Sequence, residues 1–258
     1  MSELSYNFKT GEMKDLKEPT MKKIIILLIA VVISPSLVNA DHHTIPGIGQ
    51  GAFNTLMVKA KDINKYVDTL RSDQTVFKAI GATDAGVCVT RSGNNHKGEM
   101  FVWTAYPDVA SAINANDIYN PAEAPESMSK LRKVKYGVTW KGLKSFRLDP
   151  GWERVLRVKV SPENLNAFVD NMRKLETAII ESGHETFNLG VFMPIGGGVH
   201  ESSTIMVRAI SPTAEEIGHL IDEYFEGADW AQYWQQSAPM MELVSDTFEL
   251  CEQIYKAE

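Results

Sequence analysis

One stretch of sequence occurs twice in this chain, and the repeat limits the fold more than any single motif. Residues 56–71 read LMVKAKDINKYVDTLR, and residues 156–173 read LRVKVSPENLNAFVDNMR. Leu56, Val58 and Lys59 match Leu156, Val158 and Lys159; Asn64, Val67, Asp68 and Arg71 match Asn166, Val169, Asp170 and Arg173. Each copy is an alternating apolar run followed by apolar residues at helical spacing, so each predicts a strand and then an amphipathic helix. A unit that recurs at long range is a supersecondary block that needs its twin for burial.

The order of elements after each copy is also repeated. In the first, a strand over 54–60 precedes a helix capped by Asp62, with Ile63, Tyr66, Val67, Leu70, Phe77 and Ile80 inward and Gly81 as its stop. Strands follow over 86–91 and 99–106, joined by the turn chemistry of Ser92-Gly93-Asn94-Asn95. A weaker helix starts at Pro107-Asp108, and a strand over 133–141 places Val134, Tyr136, Val138 and Trp140 on one face. In the second copy the strand over 154–160 leads through a Ser161 cap and Pro162 into a helix carrying Leu165, Phe168, Val169, Met172, Leu175 and Ile179. Strands over 187–193 and 204–210 flank Gly196-Gly197-Gly198. A helix with Ile217, Leu220, Ile221, Tyr224 and Phe225, a short helix over 230–236 and a last strand within 243–254 complete it. A constant offset sets Gly190 opposite Gly86, Ala209 opposite Ala105 and Val207 opposite Trp103.

Each unit is therefore β-α-β-β-α-β, over 53–148 and 152–256, and the fold class is α+β with two tandem ferredoxin-like units. Neither unit has helices enough to cover both faces of its sheet, so the two sheets are expected to pack together. The tandem order and the tail Tyr224-x5-Trp230-x3-Trp234 resemble the dimeric α+β barrel superfamily, which includes antibiotic-biosynthesis monooxygenase-like domains. The resemblance implies an intramolecular version of that barrel. One branch of the superfamily degrades haem with an Asn on the first strand, a Trp on the last long helix and a His beyond it. Here Asn54 sits on the first strand of the first unit, but its helix offers neither Trp nor His. In the second unit Arg154, Tyr224 and Trp234 stand at those places, so the haem-degrading triad is absent as such.

The N-terminal region reads as an address and not as part of the fold. Lys22-Lys23, the apolar run 24–33, Pro35 and Val38-Asn39-Ala40 have the form of a secretory signal peptide over 21–40, behind an upstream extension over 1–20. The apolar run is too short to span a bilayer. The expectation is an exported, periplasmic or secreted protein with a flexible mature N-terminus over 41–52 and no stable membrane insertion. The chain has 26 Lys+Arg against 33 Asp+Glu, a net charge of −7, which argues against nucleic acid as a partner. Its 44% apolar content is that of an ordinary globular protein.

Cys88 and Cys251 allow one disulfide in an exported chain, or two buried thiols; spacing leaves both open. In the fold resembled here, the second strand of one unit meets the last strand of the other, and those strands carry the two cysteines. The resemblance therefore implies that they bridge.

Candidate chemistry is sparse. Cleavage after Ala40 would create an N-terminus of Asp41-His42-His43, whose amine, amides and imidazoles suit Cu(II) or Ni(II); the alternative is a polar tail. His96 and His200, placed alike in the two hairpins, would hold a metal or anion between units or else be solvated turn residues. His184 is uncommitted. The aromatics Trp103, Tyr136, Trp140, Tyr224, Trp230 and Trp234 are candidates for lining a small-ligand pocket, against the alternative of core packing. No nucleophile elbow, zincin helix or dinucleotide fingerprint is present. The sequence leaves the cofactor unassigned and homo-oligomers open. Its first functional reading is an exported binder of a small apolar or aromatic ligand in or beside a fused barrel. A monooxygenase-like oxidoreductase, cofactor-free or haem-dependent, is the alternative, and a structural or interaction module is the third.

Overall fold

The computed structural model describes residues 49–258, together with a short antiparallel ladder upstream, Ser5–Tyr6 with Met13–Lys14. The signal-type segment 21–40 and Asp41, His42 and His43 lie outside the described residues.

From Ala52 onward the chain forms a closed eight-stranded antiparallel barrel with helices outside it. The first half contributes β1 (Ala52–Ala60), α1 (Ile63–Ser72), α2 (Thr75–Ala79), β2 (Asp84–Ser92), β3 (Glu99–Tyr106), α3 (Val109–Ile118), the one-turn α4 (Glu126–Ser129) and β4 (Arg132–Gly142). The second contributes β5 (Gly151–Val160), α5 (Leu165–Glu181), β6 (Asn188–Ile195), α6 (Gly198–Glu201), β7 (Ile205–Ser211), α7 (Ala214–Glu226), α8 (Ala231–Ser237) and β8 (Met241–Lys256). Around the barrel the order is β8-β2-β3-β1-β4-β6-β7-β5, with β5 closing back on β8. Each half is a βαββαβ unit, and its last strand pairs both with its own first strand and with the second strand of the other half. Closure gives every barrel strand a partner on both sides over at least part of its length. This is the dimeric α+β barrel fold, made by one chain.

Strand alternation sorts side chains into three cores. Val58, Tyr66, Leu70, Val102 and their neighbours lie between the first-half sheet and its helices. Leu156, Phe168, Met172 and Val207 do the same in the second half. Phe53, Met57, Phe101, Trp103, Trp140, Val155, Phe192 and Met206 fill the barrel interior.

Cys88 on β2 and Cys251 on β8 are cross-strand partners and form a disulfide, with Cα atoms 4.0 Å apart. The bond closes a loop of sequence separation 163, which on the chain-entropy account contributes up to about 5 kcal/mol.

Three details differ from the sequence reading. The strand β4 does not keep one face. Met57 is opposite Tyr136 but Val58 is opposite Val134, so a bulge lies between them. Tyr136, Val138 and Trp140 point into the barrel, while Val134 and Arg132 turn to the helix side. An extra residue in one strand reverses the alternation beyond it. The constant offset between copies also fails. Thr55 pairs with Trp103, and Val155 pairs with Arg208, so the counterpart of Trp103 is Arg208, not Val207. Gly190 does remain opposite Gly86 in this sense, since each faces that pair. The second hairpin is therefore one residue longer, and a one-residue slip exchanges the faces. Lastly, Ser161 does not cap α5. A turn closed from Asn164 N–H to Ser161 O at 3.0 Å intervenes, and the helix starts at Leu165.

Candidate functional site

Each half holds a cavity between its sheet and its helices. The first is about 570 Å³. Leu56, Leu70, Phe77, Ile80, Val102 and Val134 form its apolar wall, and polar side chains enter from two directions. The second is about 350 Å³ and is lined by Leu156, Ile179, Val207, Tyr224, Trp230, Trp234 and Phe248, with Arg154 as its one charged residue.

On one side of the first cavity lies a closed hydrogen-bonded group. Thr139 Oγ1 donates to Asn54 Oδ1 at 2.7 Å, Asn54 Nδ2 donates to Ala112 O at 2.8 Å, and Tyr106 Oη donates to Thr104 Oγ1 at 3.0 Å. These groups are satisfied without a ligand.

The other side is not closed. Tyr66, on α1, is 0% exposed, and its hydroxyl has no hydrogen-bond partner among the described residues. Burial pushes its phenol up to about 12, against the pull of the nearby Arg132 guanidinium. Arg132, turned inward by the β4 bulge, is 6% exposed. It donates to Tyr119 Oη at 2.8 Å and lies 5.7 Å from the centroid of the Tyr66 ring. A buried tyrosine normally finds a partner for its hydroxyl. The Arg132 guanidinium acts on the Tyr66 hydroxyl without hydrogen-bond geometry between them, and Tyr66 is among the residues that line the cavity.

The predicted aromatic residues do not form one site. Trp103, Tyr136 and Trp140 are part of the barrel interior. Trp140 Nε1 donates to Thr55 Oγ1 at 3.0 Å, and Tyr136 Oη donates to Glu201 Oε1 at 2.9 Å. Tyr224, Trp230 and Trp234 line the second cavity, where Tyr224 packs against Phe225 and Trp230. The polar residues Asn54, Tyr66 and Arg132 of the first cavity are absent from the predicted site residues. Asn54 was visible as a first-strand asparagine, and Tyr66 as a core position of α1. Arg132 left no signal, because its inward turn depends on the bulge.

Of the three candidate histidines His96, His184 and His200, two have ring partners among the described residues. His184 Nε2 lies 3.0 Å from Glu223 Oε1, joining the end of α5 to α7. His200 stacks on Tyr136 with ring centroids 4.2 Å apart, and it sits in the turn of α6, not in an open hairpin. His96 lies in the turn between β2 and β3. Neither His96 nor His200 belongs to a cluster of three or more metal-ligating side chains among the described residues. The one such cluster is Cys88, Glu153, Glu249 and Cys251, inside the barrel. Its sulfurs are joined to one another and Glu153 is forked onto Arg208, so three of its four residues are already committed.

That cluster is the other unusual chemistry of the molecule. Arg208 is held by Glu153 and lies over the rings of Phe53, Phe101 and Phe146 at 5.5–5.9 Å. Glu249 is 5% exposed and one of its oxygens is unpaired. Burial, reinforced by the Glu153 carboxylate, pushes it up to about 7. The interior around it is filled, with no room for a substrate.

A haem iron takes an imidazole, thiolate, thioether or phenolate. Among the described residues neither cavity is lined by His or Cys, while Met128 in the first and Tyr224 in the second offer a thioether and a phenol. Burial keeps the phenols of Tyr66 and Tyr106 protonated, and Tyr119 is bonded to Arg132. The described linings offer a haem iron neither imidazole nor thiolate.

No protein-family model and no curated protein matches the sequence. Solved structures do match in fold. A protein assigned as a monooxygenase from Lactobacillus acidophilus aligns with a TM-score of 0.52 at 9% identity, over 80% of this chain and 95% of that one. An anthrone oxidase-like protein aligns with a TM-score of 0.50 at 8% identity, over 80% and 96%. A variant chlorite dismutase from Candidatus Nitrospira defluvii, in complex with cyanide, aligns with a TM-score of 0.50 at 8% identity, over 79% and 91%. At such identities the likeness is one of fold, and function has to be argued from the site.

Proposed function

We propose that this protein binds one small, mainly apolar or aromatic molecule in the first-half cavity, beside the barrel and not within it. The observation that carries this reading is a cavity of about 570 Å³ whose apolar wall carries a buried guanidinium, Arg132, with no ion pair among the described residues. Small-molecule sites run to roughly 300–1,000 Å³, with apolar walls and a few fixed polar groups. The first cavity matches that description. The second is smaller, and its wall is apolar but for Arg154, which forms an ion pair with Asp246 at 2.6 Å.

The test is a thermal-shift screen with fused-ring aromatic and long-chain acyl compounds, beside native mass spectrometry of protein isolated from its host. A bound mass, or a rise in Tm, is expected. Val102→Trp, which fills the first cavity, should abolish it; Val207→Trp, which fills the second, should leave it. The reading is overturned if no compound binds, or if only the second substitution removes binding.

A second reading is oxidation of the bound molecule by a monooxygenase-like reaction without haem. It is supported by the names carried by structures of the same fold, a monooxygenase and an anthrone oxidase-like protein. Oxygen uptake dependent on a bound aromatic, and lost with Val102→Trp, would separate it from simple binding. Export is part of the proposal as well. The signal-type sequence over 21–40 supports it, as does a disulfide of the kind that persists in oxidising compartments. Among the described residues no helix is long and apolar enough to cross a membrane.

A further inference from the structure

We infer that the ligand of the first cavity is an amphipathic monocarboxylate, its head held by Arg132 and the Tyr66 hydroxyl and its apolar body lying against Leu70, Phe77 and Val102. The inference rests on the proposed binding site and goes on to name what the site selects.

Three arginines are buried or nearly so on the inner surfaces of this molecule, and two of them face carboxylates. Arg208 is paired with Glu153, and Arg157 with Glu201 at 2.9 Å. Arg132 forms no ion pair among the described residues; its partners are the neutral phenol of Tyr119 and the face of Tyr66. Taking a guanidinium out of water without a counter-charge is costly, and a buried charge is expected to be paired. The lining contains one other charged group, Asp73. It is exposed at the break between α1 and α2, where it accepts from Thr75 N at 3.1 Å. The buried end of the cavity therefore carries a positive charge with no negative partner.

The donors fit a carboxylate. A guanidinium presents parallel N–H groups that match the two oxygens of a planar carboxylate. Tyr66 adds an O–H that burial keeps protonated, so it donates and does not compete as an anion. One cation and one neutral donor balance a single negative charge, which suits a monocarboxylate better than a dianionic phosphate. The opposite polar group, Asn54 with Thr139 and Tyr106 with Thr104, is internally satisfied and asks for nothing. The remaining wall is apolar and accepts an aryl or alkyl body.

The second half shows what the fold does without this requirement. Arg132 pairs with Ala60 where Met241 pairs with Val160. Tyr66, one residue before Val67, corresponds to Phe168, one residue before Val169. Both charge and hydroxyl are missing there, and Phe168 is 0% exposed in a closed core.

The test compares matched probes on the full protein: 2-naphthoate against 2-naphthamide, and dodecanoate against dodecanol, by calorimetric titration. The acids should bind at least about tenfold more tightly than their neutral partners, as a charge-assisted pair would produce. Arg132→Met, the residue the second half carries, should level the two members of each pair. Tyr66→Phe should weaken the acids several-fold and the neutral probes less. Equal binding of acid and neutral probe overturns the inference while leaving the binding site standing. So does a preference for the acid that survives Arg132→Met. Failure of every probe, with indifference to Val102→Trp, overturns the binding site itself. Should Arg132→Met not fold, the matched pairs on the unaltered protein and on Tyr66→Phe decide the matter.

Discussion

The two halves share a topology and have exchanged their polarity. In the first half the helix side is polar: Asn54, Tyr66, Thr104, Arg132 and Thr139 surround the cavity, while the barrel side carries Phe53, Trp103 and Trp140. In the second half the positions of matching register are reversed in character. Its helix side carries Arg154, Phe168, Ala209, Met241 and Phe248, and its barrel side carries Glu153, Arg208 and Glu249. Strand pairing shows the exchange directly. Phe53 faces Trp140 across β1 and β4, and Glu153 faces Glu249 across β5 and β8. A barrel closed by two copies of one unit needs both for burial, but it does not need both to bind. One copy has spent its polar residues on a cavity, and the other on the interior of the barrel.

The largest effect is expected at Arg208. Arg208→Met strands the Glu153 carboxylate in the interior, and a loss of about 3–5 kcal/mol is expected in urea denaturation. Replacing Glu153 and Arg208 together by apolar residues, which makes the second half resemble the first, should recover most of that loss. A small effect from the single substitution would mean that the interior charges are not integral to the second half.

A weaker effect is expected from pH. Glu249 has its carboxyl raised from the ordinary carboxylate range to about 7 by burial, then by Glu153, with Arg157 and Arg208 opposing. The folded state therefore holds this proton more firmly than the unfolded chain. The contribution is fully present below about pH 4.5 and is lost as the pH rises through about 7. It amounts to something on the order of 3 kcal/mol. Glu249→Gln should flatten that part of the stability profile, as followed by Tm between pH 4.5 and 8. A slope that persists unchanged in the variant would assign it elsewhere. No such slope is expected from Trp140, the first-half counterpart.

The smallest effect is expected at α1 and α5. Phe168→Tyr places a hydroxyl in a packed core without a partner and should cost about 2 kcal/mol. Tyr66→Phe removes a hydroxyl that already lacks one, and should change the stability of the unliganded protein by less than about 1 kcal/mol. Equal costs would mean that the Tyr66 hydroxyl is bonded in the free protein.

Much of the fold was legible because it rests on local patterns. Alternation over 86–91 and 204–210, the Asp62 cap (its Oδ1 accepts from Lys65 N at 3.0 Å) and the apolar spacing of α5 are all short-range signals. The cavity was not legible. Trp103, Tyr136 and Trp140 have the composition of a binding surface but face a filled barrel. Arg132, by contrast, sits just ahead of a run that alternates cleanly, Val134 to Trp140, and nothing in that alternation announces a bulge. Likewise, the extra residue between β6 and β7 made Val207 look like the partner of Trp103, although the true partner is Arg208.

The repeat, the βαββαβ order and the need for two sheets to meet follow from local sequence, because period and capping are properties of neighbouring residues. Only the tertiary structure decided which face each strand residue takes past a bulge. The same holds for the pairing of Cys88 with Cys251 and for the carboxylates that reach the buried arginines. Those depend on cross-strand register and on distances between residues far apart in the chain, and a shift of one residue reverses them. The repeat thus made the two halves alike in topology. Register and burial made one of them a cavity and the other a charged core.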